Sequence, residues 1–444
     1  MKHFLWIILL AAACATPTTT TTMPETQPMP MPTLEPEPFR ADAPIPAATR
    51  PYAFPEITRG TLENGLRILI AQNRNAPLVS VRAIVRAGAE RDPLDRPAMA
   101  SLTADMLEEG TPKRNAIEIA EAIGDLGATL STGADWDAAF VALDILSRNL
   151  EEGFSIFADV VIKPTFPKKE LDRVRKERIT TILQQKDHPA AIAGNRFAAA
   201  VYGGTPYGNP LIGTEESIGR ILKQDLEAFY QRHYVPNNTS LIITGDVDVD
   251  AARALAERTF RDWARGPAVP PVSLKPKPLE TARIVLIDRP SSVQSEIRIG
   301  HAGVARNSED YFPLITMNSL LGGIFTSRLN LNLRERHGYT YGIRSGFSFR
   351  RHGGPFQVST AVQNAVTRES VNEILSELRL LRSGDVTDAE MNDSKNYLMG
   401  VFPQMVQTAS DLANRIQELE LYDLPEDYFD RYRERIAAVN RQDI

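Results

Sequence analysis

The sequence predicts an α+β protein made of two similar halves, and three observations carry that reading. Strand-like apolar runs come in pairs and alternate with long amphipathic helical patterns, which indicates helices packed on one face of an antiparallel sheet. The same order of runs occurs twice. Between the two occurrences lies a Pro-rich stretch, Gly266–Pro271 through Pro276 and Pro278, which reads as a linker over 266–282.

In the first half (56–265), Leu66–Ile70 and Val79–Val85 are predicted strands, and a helix begins at Pro97 with Met99, Leu102, Met106 and Leu107 on one face and Gly110 as its stop. Asn115 with Glu118 three residues on forms a capping box for a helix that turns Ile119, Ile123 and Leu126 inward. Trp136–Leu146 is strand-like, and Leu150, Phe154, Phe157 and Val161 mark another amphipathic helix. Lys223–Leu226 leads into a helix, followed by the apolar strand Ser240–Thr244.

The second half (283–444) repeats the order. Arg283–Ile287 and Glu296–Gly300 are predicted strands and Tyr311–Leu321 a helix. Tyr341–Arg350 and Pro355–Val362 form an antiparallel pair, and Val371, Ile374, Leu378 and Leu381 a helical stripe. Arg441–Ile444 then matches the point that Lys223–Leu226 holds in the first half. An unpaired sheet position is a liability, so the second domain is expected to be truncated here.

The amino terminus is an address. Lys2, the apolar run Phe4–Ala13 and then Cys14 (residues 1–14) form a secretory signal too short to span a bilayer. Cys14, the only cysteine, follows Ala11–Ala13 in the manner of a lipoprotein signal, which implies lipidation of its thiol. No Asp follows it, which favours the outer membrane. Residues 15–55 are rich in Thr and Pro and read as an extended tether; at roughly 3 Å per residue it reaches on the order of 100 Å. The folded part is therefore expected in the periplasm, held to a membrane surface.

Composition excludes several classes. With 50 Lys+Arg against 56 Asp+Glu the net charge is −6, the wrong sign for a nucleic-acid binder. One cysteine rules out disulfides within the chain and thiolate zinc sites. The closest of the six histidines, His337 and His352, are 15 residues apart, so no helix carries two at i and i+4. Asp135 and Asp137 read as a strand entrance, His188 as a turn before Pro189, and Glu108–Glu109 as a solvated helix end. Gly322–Gly323 lacks the Lys-Ser/Thr of a phosphate loop.

Several blocks in order give the chain a family resemblance from about residue 56 onward. They are Asn64–Leu66, Arg86–Ala89, Gly110–Thr111, Tyr207–Thr214 and Tyr234–Asn238 in the first half, and Leu321–Leu329 and Leu333–Tyr341 in the second. In these the chain resembles the insulinase-like (pitrilysin) zinc peptidases, on the branch of mitochondrial processing peptidase. The resemblance implies two homologous domains of the processing-peptidase-like metallohydrolase fold.

In that family a His-x-x-Glu-His helix and a distant Glu bind zinc, and the Glu beside the histidines activates the zinc-bound water. Counted back from Gly110–Thr111, the motif falls on Ser101-Leu102-Thr103-Ala104-Asp105, and the distant Glu on Gln184. Ser101 and Asp105 stand for the histidines, Ala104 for the base and Gln184 for the third ligand, so no metal or cofactor is expected on this chain and zinc is expected in a partner.

The resemblance also implies substrate-binding roles for Arg334 and Tyr341, which match an Arg and Tyr that reach a substrate's backbone and its developing oxyanion. Loss of the metal site with retention of this pair implies the non-catalytic subunit of a proteolytic heterodimer, partnered by a homologous zinc-bearing subunit and acting on peptides or unfolded polypeptides. A structural or peptide-holding scaffold is the alternative. A metallopeptidase with rebuilt ligands is a further one, disfavoured by the scattered histidines.

Overall fold

The computed structural model describes residues 52–274 and 280–444. The signal, the tether as far as residue 51 with its Cys14, and linker residues 275–279 lie outside the described residues. Residues 52–444 form one compact unit.

The first half opens with β1 (Thr58–Thr61), β2 (Arg67–Gln72) and β3 (Leu78–Val85), then α1 (Met99–Asp105) and α2 (Ala116–Asp125). The Asn115–Glu118 capping box at the start of α2 is present. A hairpin of β4 (Thr129–Ala134) and β5 (Ala139–Leu146) follows, then α3 (Leu150–Ile162), α4 (Lys168–Gln185) and α5 (Pro189–Tyr202), with His188 as the N-cap of α5. The half closes with α6 (Glu215–Arg220), α7 (Lys223–His233), β6 (Thr239–Gly245) and α8 (Val249–Phe260).

Its sheet has the order β1-β2-β6-β3-β5-β4. All neighbours are antiparallel except β2 and β6, which run parallel because the whole α1–α7 region crosses over between them. Strand periodicity divides the core. Ile68, Ile70, Val81, Ala83, Val141, Leu143 and Ile243 join the cluster under α1 and α3, whereas Leu69, Ala71, Ile84 and Ile242 point to the opposite face and join the core of the second half.

The second half contains β7 (Gln294–Ala302), α9 (Tyr311–Asn318), α10 (Arg328–Asn330), β8 (Ile343–Phe347) and β9 (Pro355–Gln363). Then come α11 (Thr367–Arg382), α12 (Asp388–Val401), α13 (Ala409–Leu421) and α14 (Tyr432–Ala438). Two π-helical segments, Ser319–Gly323 and Leu331–Arg336, continue α9 and α10. No described helix is long and apolar enough to cross a membrane.

Two expectations need correction. Helices do not cover the first sheet on one face only, because α13 of the second half lies across β3 and β6. There Arg82 bonds Ser410 Oγ at 2.8 Å, Thr244 Oγ1 bonds the Ala409 carbonyl at 2.7 Å, and Arg67 pairs with Glu420 at 2.7 Å. The apolar run of β6, buried along its whole length, is the cause: a strand apolar on both faces needs cover on both.

The second correction concerns Arg283–Ile287, which is not a strand. The second sheet has three strands among the described residues, β7-β9-β8. In the first half, β2 reaches the sheet through β6. No described strand takes that place in the second half, so Ile284 and Leu286 stay 85% and 90% exposed and one edge of β7 is unpaired by any strand.

The halves meet at a buried polar joint. The turn between β4 and β5 is held by Asp135 Oδ1, which accepts from the Asp137 and Ala138 amides at 2.7 and 2.8 Å. Gly88 abuts this turn, and a Cβ there would lie 2.5 Å from its backbone, so glycine is required. Asp137 accepts from Tyr207 Oη, from Tyr422 Oη at 3.1 Å and from the Arg351 amide at 2.8 Å. Burial, together with the Asp137 carboxylate, raises Tyr207 far above the ordinary phenol range and keeps it a donor. Beside it, the Arg350 guanidinium lies 3.6 Å over the Trp136 ring and His352 Nε2 is 3.1 Å from the Glu90 carboxylate.

Candidate functional site

α1 is short and buried through Ala104, and its entry is forced. Ala98 takes a left-handed conformation (φ 78°), and the buried Asp92 accepts from the Ala98 and Ala100 amides, each at 2.8 Å. These bonds occupy donors that the helix start leaves free. Burial pushes the Asp92 carboxyl up to about 7, against the opposing pull of those amides and of Arg178.

Ser101 and Asp105 lie one turn apart on α1 and face α4, while Ala104 turns into the core. The side chain that meets them is Arg178 of α4, only 8% exposed. Its Nη1 donates to Ser101 Oγ at 2.9 Å, and its Nη2 and Nε donate to Asp105 Oδ2 at 2.5 and 3.2 Å. Ser101 Oγ in turn donates to the Leu211 carbonyl at 2.6 Å. These residues line a recess of about 390 Å³ with Glu177, Thr181, Val174, Leu211 and Ile212. Glu177 is itself bound by Arg173 at 2.9 Å.

Gln184 is not part of this recess; it is exposed near the end of α4, one helical turn beyond Thr181. The residues that face Ser101 and Asp105 from α4 are Arg178 and Thr181, and Arg178 carries no sequence signal beyond its place next to Glu177. Glu108 and Glu109 are not a solvated pair either. Both are half-buried, with Glu109 bound to Arg173 and the Glu108 carboxyl pushed up to about 7 by burial and then by Glu109 and Asp105.

Zinc does not fit this donor set. It offers a hydroxyl and one carboxylate, with neither imidazole nor thiolate, and a guanidinium already binds both. No group of three or more His, Cys, Asp or Glu suited to a metal occurs among the described residues.

Arg334 and Tyr341 lie in the second half, on the π-helical segment after α10 and on the loop into β8. The Arg334 guanidinium sits 4.4 Å from the Phe325 ring centroid, with Nη1 3.5 Å from Glu335. Tyr341 is 97% exposed and Phe325 62%. No hydrogen bond or ring contact among the described residues joins this group to Ser101, Asp105 or Arg178.

A two-half α+β fold whose first-domain helix carries Ser101 and Asp105 where the resemblance sets two histidines defines a metallopeptidase-type fold. A family model described as insulinase (peptidase family M16) matches residues 67–215, and one described as the peptidase M16 inactive domain matches 220–398. The chain belongs to the insulinase family, peptidase family M16.

Among its relatives, the uncharacterized zinc protease YmxG of Bacillus subtilis is 24% identical over 392 residues, 87% of this chain and 94% of that protein. The non-peptidase homolog YmxG of Helicobacter pylori is 21% identical over 385 residues, 85% of this chain and 87% of that one. Among solved structures, the peptidase M16 inactive domain from Pseudomonas fluorescens superposes with a TM-score of 0.81 at 28% identity, covering 87% of this chain and 93% of that chain.

Proposed function

We propose that this chain is the non-catalytic subunit of a periplasmic zinc metallopeptidase, held to the outer membrane through a lipid on Cys14. A homologous partner brings the zinc, and this chain brings Arg334 and Tyr341 to the substrate. The observation that supports the reading is an asymmetry. The metal helix is closed by the Arg178 guanidinium of α4, whereas Tyr341 stands 97% exposed and Arg334 lies against the ring of Phe325, itself 62% exposed. A phenol with no hydrogen-bond partner among the described residues is free to donate to a peptide carbonyl or to an oxyanion forming on a partner's zinc. Substrates are unfolded polypeptides that bind by adding a strand to a sheet edge.

The test mixes the purified chain with a zinc-bearing homologue encoded beside it and follows peptide cleavage. Arg334→Ala with Tyr341→Phe is expected to lower turnover of the complex by at least about tenfold. Unchanged turnover removes the assigned role, and absence of any cleavage with a stable complex favours the scaffold reading.

A further inference from the structure

We infer that Arg178 has taken the place of the metal, so that the site is converted and not merely emptied: a cation tethered to α4 now bridges the two α1 positions where the family's histidines would stand. Three observations carry this. The guanidinium binds Ser101 and Asp105 together, and these are the i and i+4 positions of the degenerate motif. Arg178 is only 8% exposed, so its side chain lies between α1 and α4 and not over them. The other acid of the recess, Glu177, is held by Arg173, which also binds Glu109 and Glu170.

A guanidinium and a metal are mutually exclusive here for two reasons. The guanidinium already bonds both donors, and a unit charge about 4 Å from another costs roughly 4 kcal/mol at an effective dielectric near 20, doubled for a divalent ion. A metal also binds reversibly, and its contribution to stability depends on its free concentration. A covalently attached cation makes the α1–α4 junction independent of metal supply. The inference does not depend on any partner subunit and holds whether or not the chain assists proteolysis.

The test compares zinc binding in two full-length variants by competition with a chromophoric chelator and by elemental analysis. Ser101→His with Asp105→His, keeping Arg178, is expected to bind no stoichiometric zinc. Adding Arg178→Glu supplies a third ligand and removes the cation, and is expected to bind one zinc per chain at least a hundredfold more tightly. Equal binding by both variants overturns the inference, as does a folded triple variant that stays free of zinc. If the triple variant does not fold, the unaltered background decides. There Arg178→Met must lower the thermal midpoint, Arg178→Lys must recover part of it, and Asp105→Asn must cost less in the Met background than alone. A midpoint unmoved by Arg178→Met, or equal losses from Asp105→Asn in both backgrounds, overturns the inference.

Discussion

The α1–α4 junction and the loop before β8 hold the positions to which the resemblance assigns the two parts of the family's chemistry, and the two regions differ in how their polar groups are partnered. At the junction, Ser101, Asp105, Arg178 and the Leu211 carbonyl bond one another and Arg173 binds Glu177, so each polar group there already has a protein partner. At the loop, Tyr341 touches almost nothing and Phe325 is left largely in solvent. A residue kept for packing is expected to be buried and bonded, as Arg178 is. An aromatic left almost fully exposed contributes little to folding, which leaves Tyr341 available for the substrate role proposed for it.

The sharpest test of this contrast is Arg178→Met. It leaves the Asp105 carboxylate unpaired beside the half-buried Glu108, and unfolding in denaturant is expected to show a loss of about 2–3 kcal/mol, below the usual figure for a fully buried pair because Asp105 can re-solvate. A loss under about 0.5 kcal/mol would place Arg178 with the ordinary surface residues.

The next effect is set by pH. Burial holds the Asp92 and Glu108 carboxyls near 7 in the folded chain, above the 3.8 and 4.5 ordinary for free carboxyls. A carboxyl raised on folding stabilises the protein below its unfolded pKa and loses that contribution as pH rises through the folded value. Stability is therefore expected to fall as pH rises from about 4 to about 7 and to level off above, by roughly 4 kcal/mol at most for Asp92, with less from the more solvated Glu108. Asp92→Asn should flatten the curve in denaturant titrations at several pH values. A curve that rises with pH over this window would show that the helix-start amides dominate over burial.

Ile284→Ser with Leu286→Ser probes the exposed segment that precedes β7. It should leave unfolding within about 0.5 kcal/mol yet reduce concentration-dependent light scattering. The smallest effect belongs to Tyr341→Ala, which should leave the thermal midpoint unchanged within error, a shift below about 0.5 kcal/mol. A larger loss would mean that Tyr341 packs in solution and would weaken its assignment to substrate.

Much of the fold was legible because periodicity reports burial directly. The capping box at Asn115, the pair β8–β9 and the stripe on α11 all appear where apolar spacing and cap chemistry put them. The cover of α13 over β3 and β6 was not legible, since a strand apolar on both faces states that it is buried without stating by what. The strand expected at Arg283–Ile287 failed for a related reason: local propensity favours it, but a strand exists only with a neighbour to bond. At the site, the loss of His, Glu and His was visible as residue types at fixed spacing. Arg178 was not, because no linear pattern announces an arginine that reaches a site more than 70 residues away in sequence.

The docking of α13 on the first sheet also bears on synthesis of the chain. Leu69, Ile84 and Ile242 are complete as a sheet surface once β6 has emerged at Gly245, yet their cover begins only at Ala409. At about 5–20 residues per second a ribosome takes roughly 8–30 s to make the intervening stretch. Throughout that interval the nascent first half presents a sticky apolar plate, so a holding chaperone has its natural target there. Severing the gene at the linker should yield two insoluble products rather than two working modules.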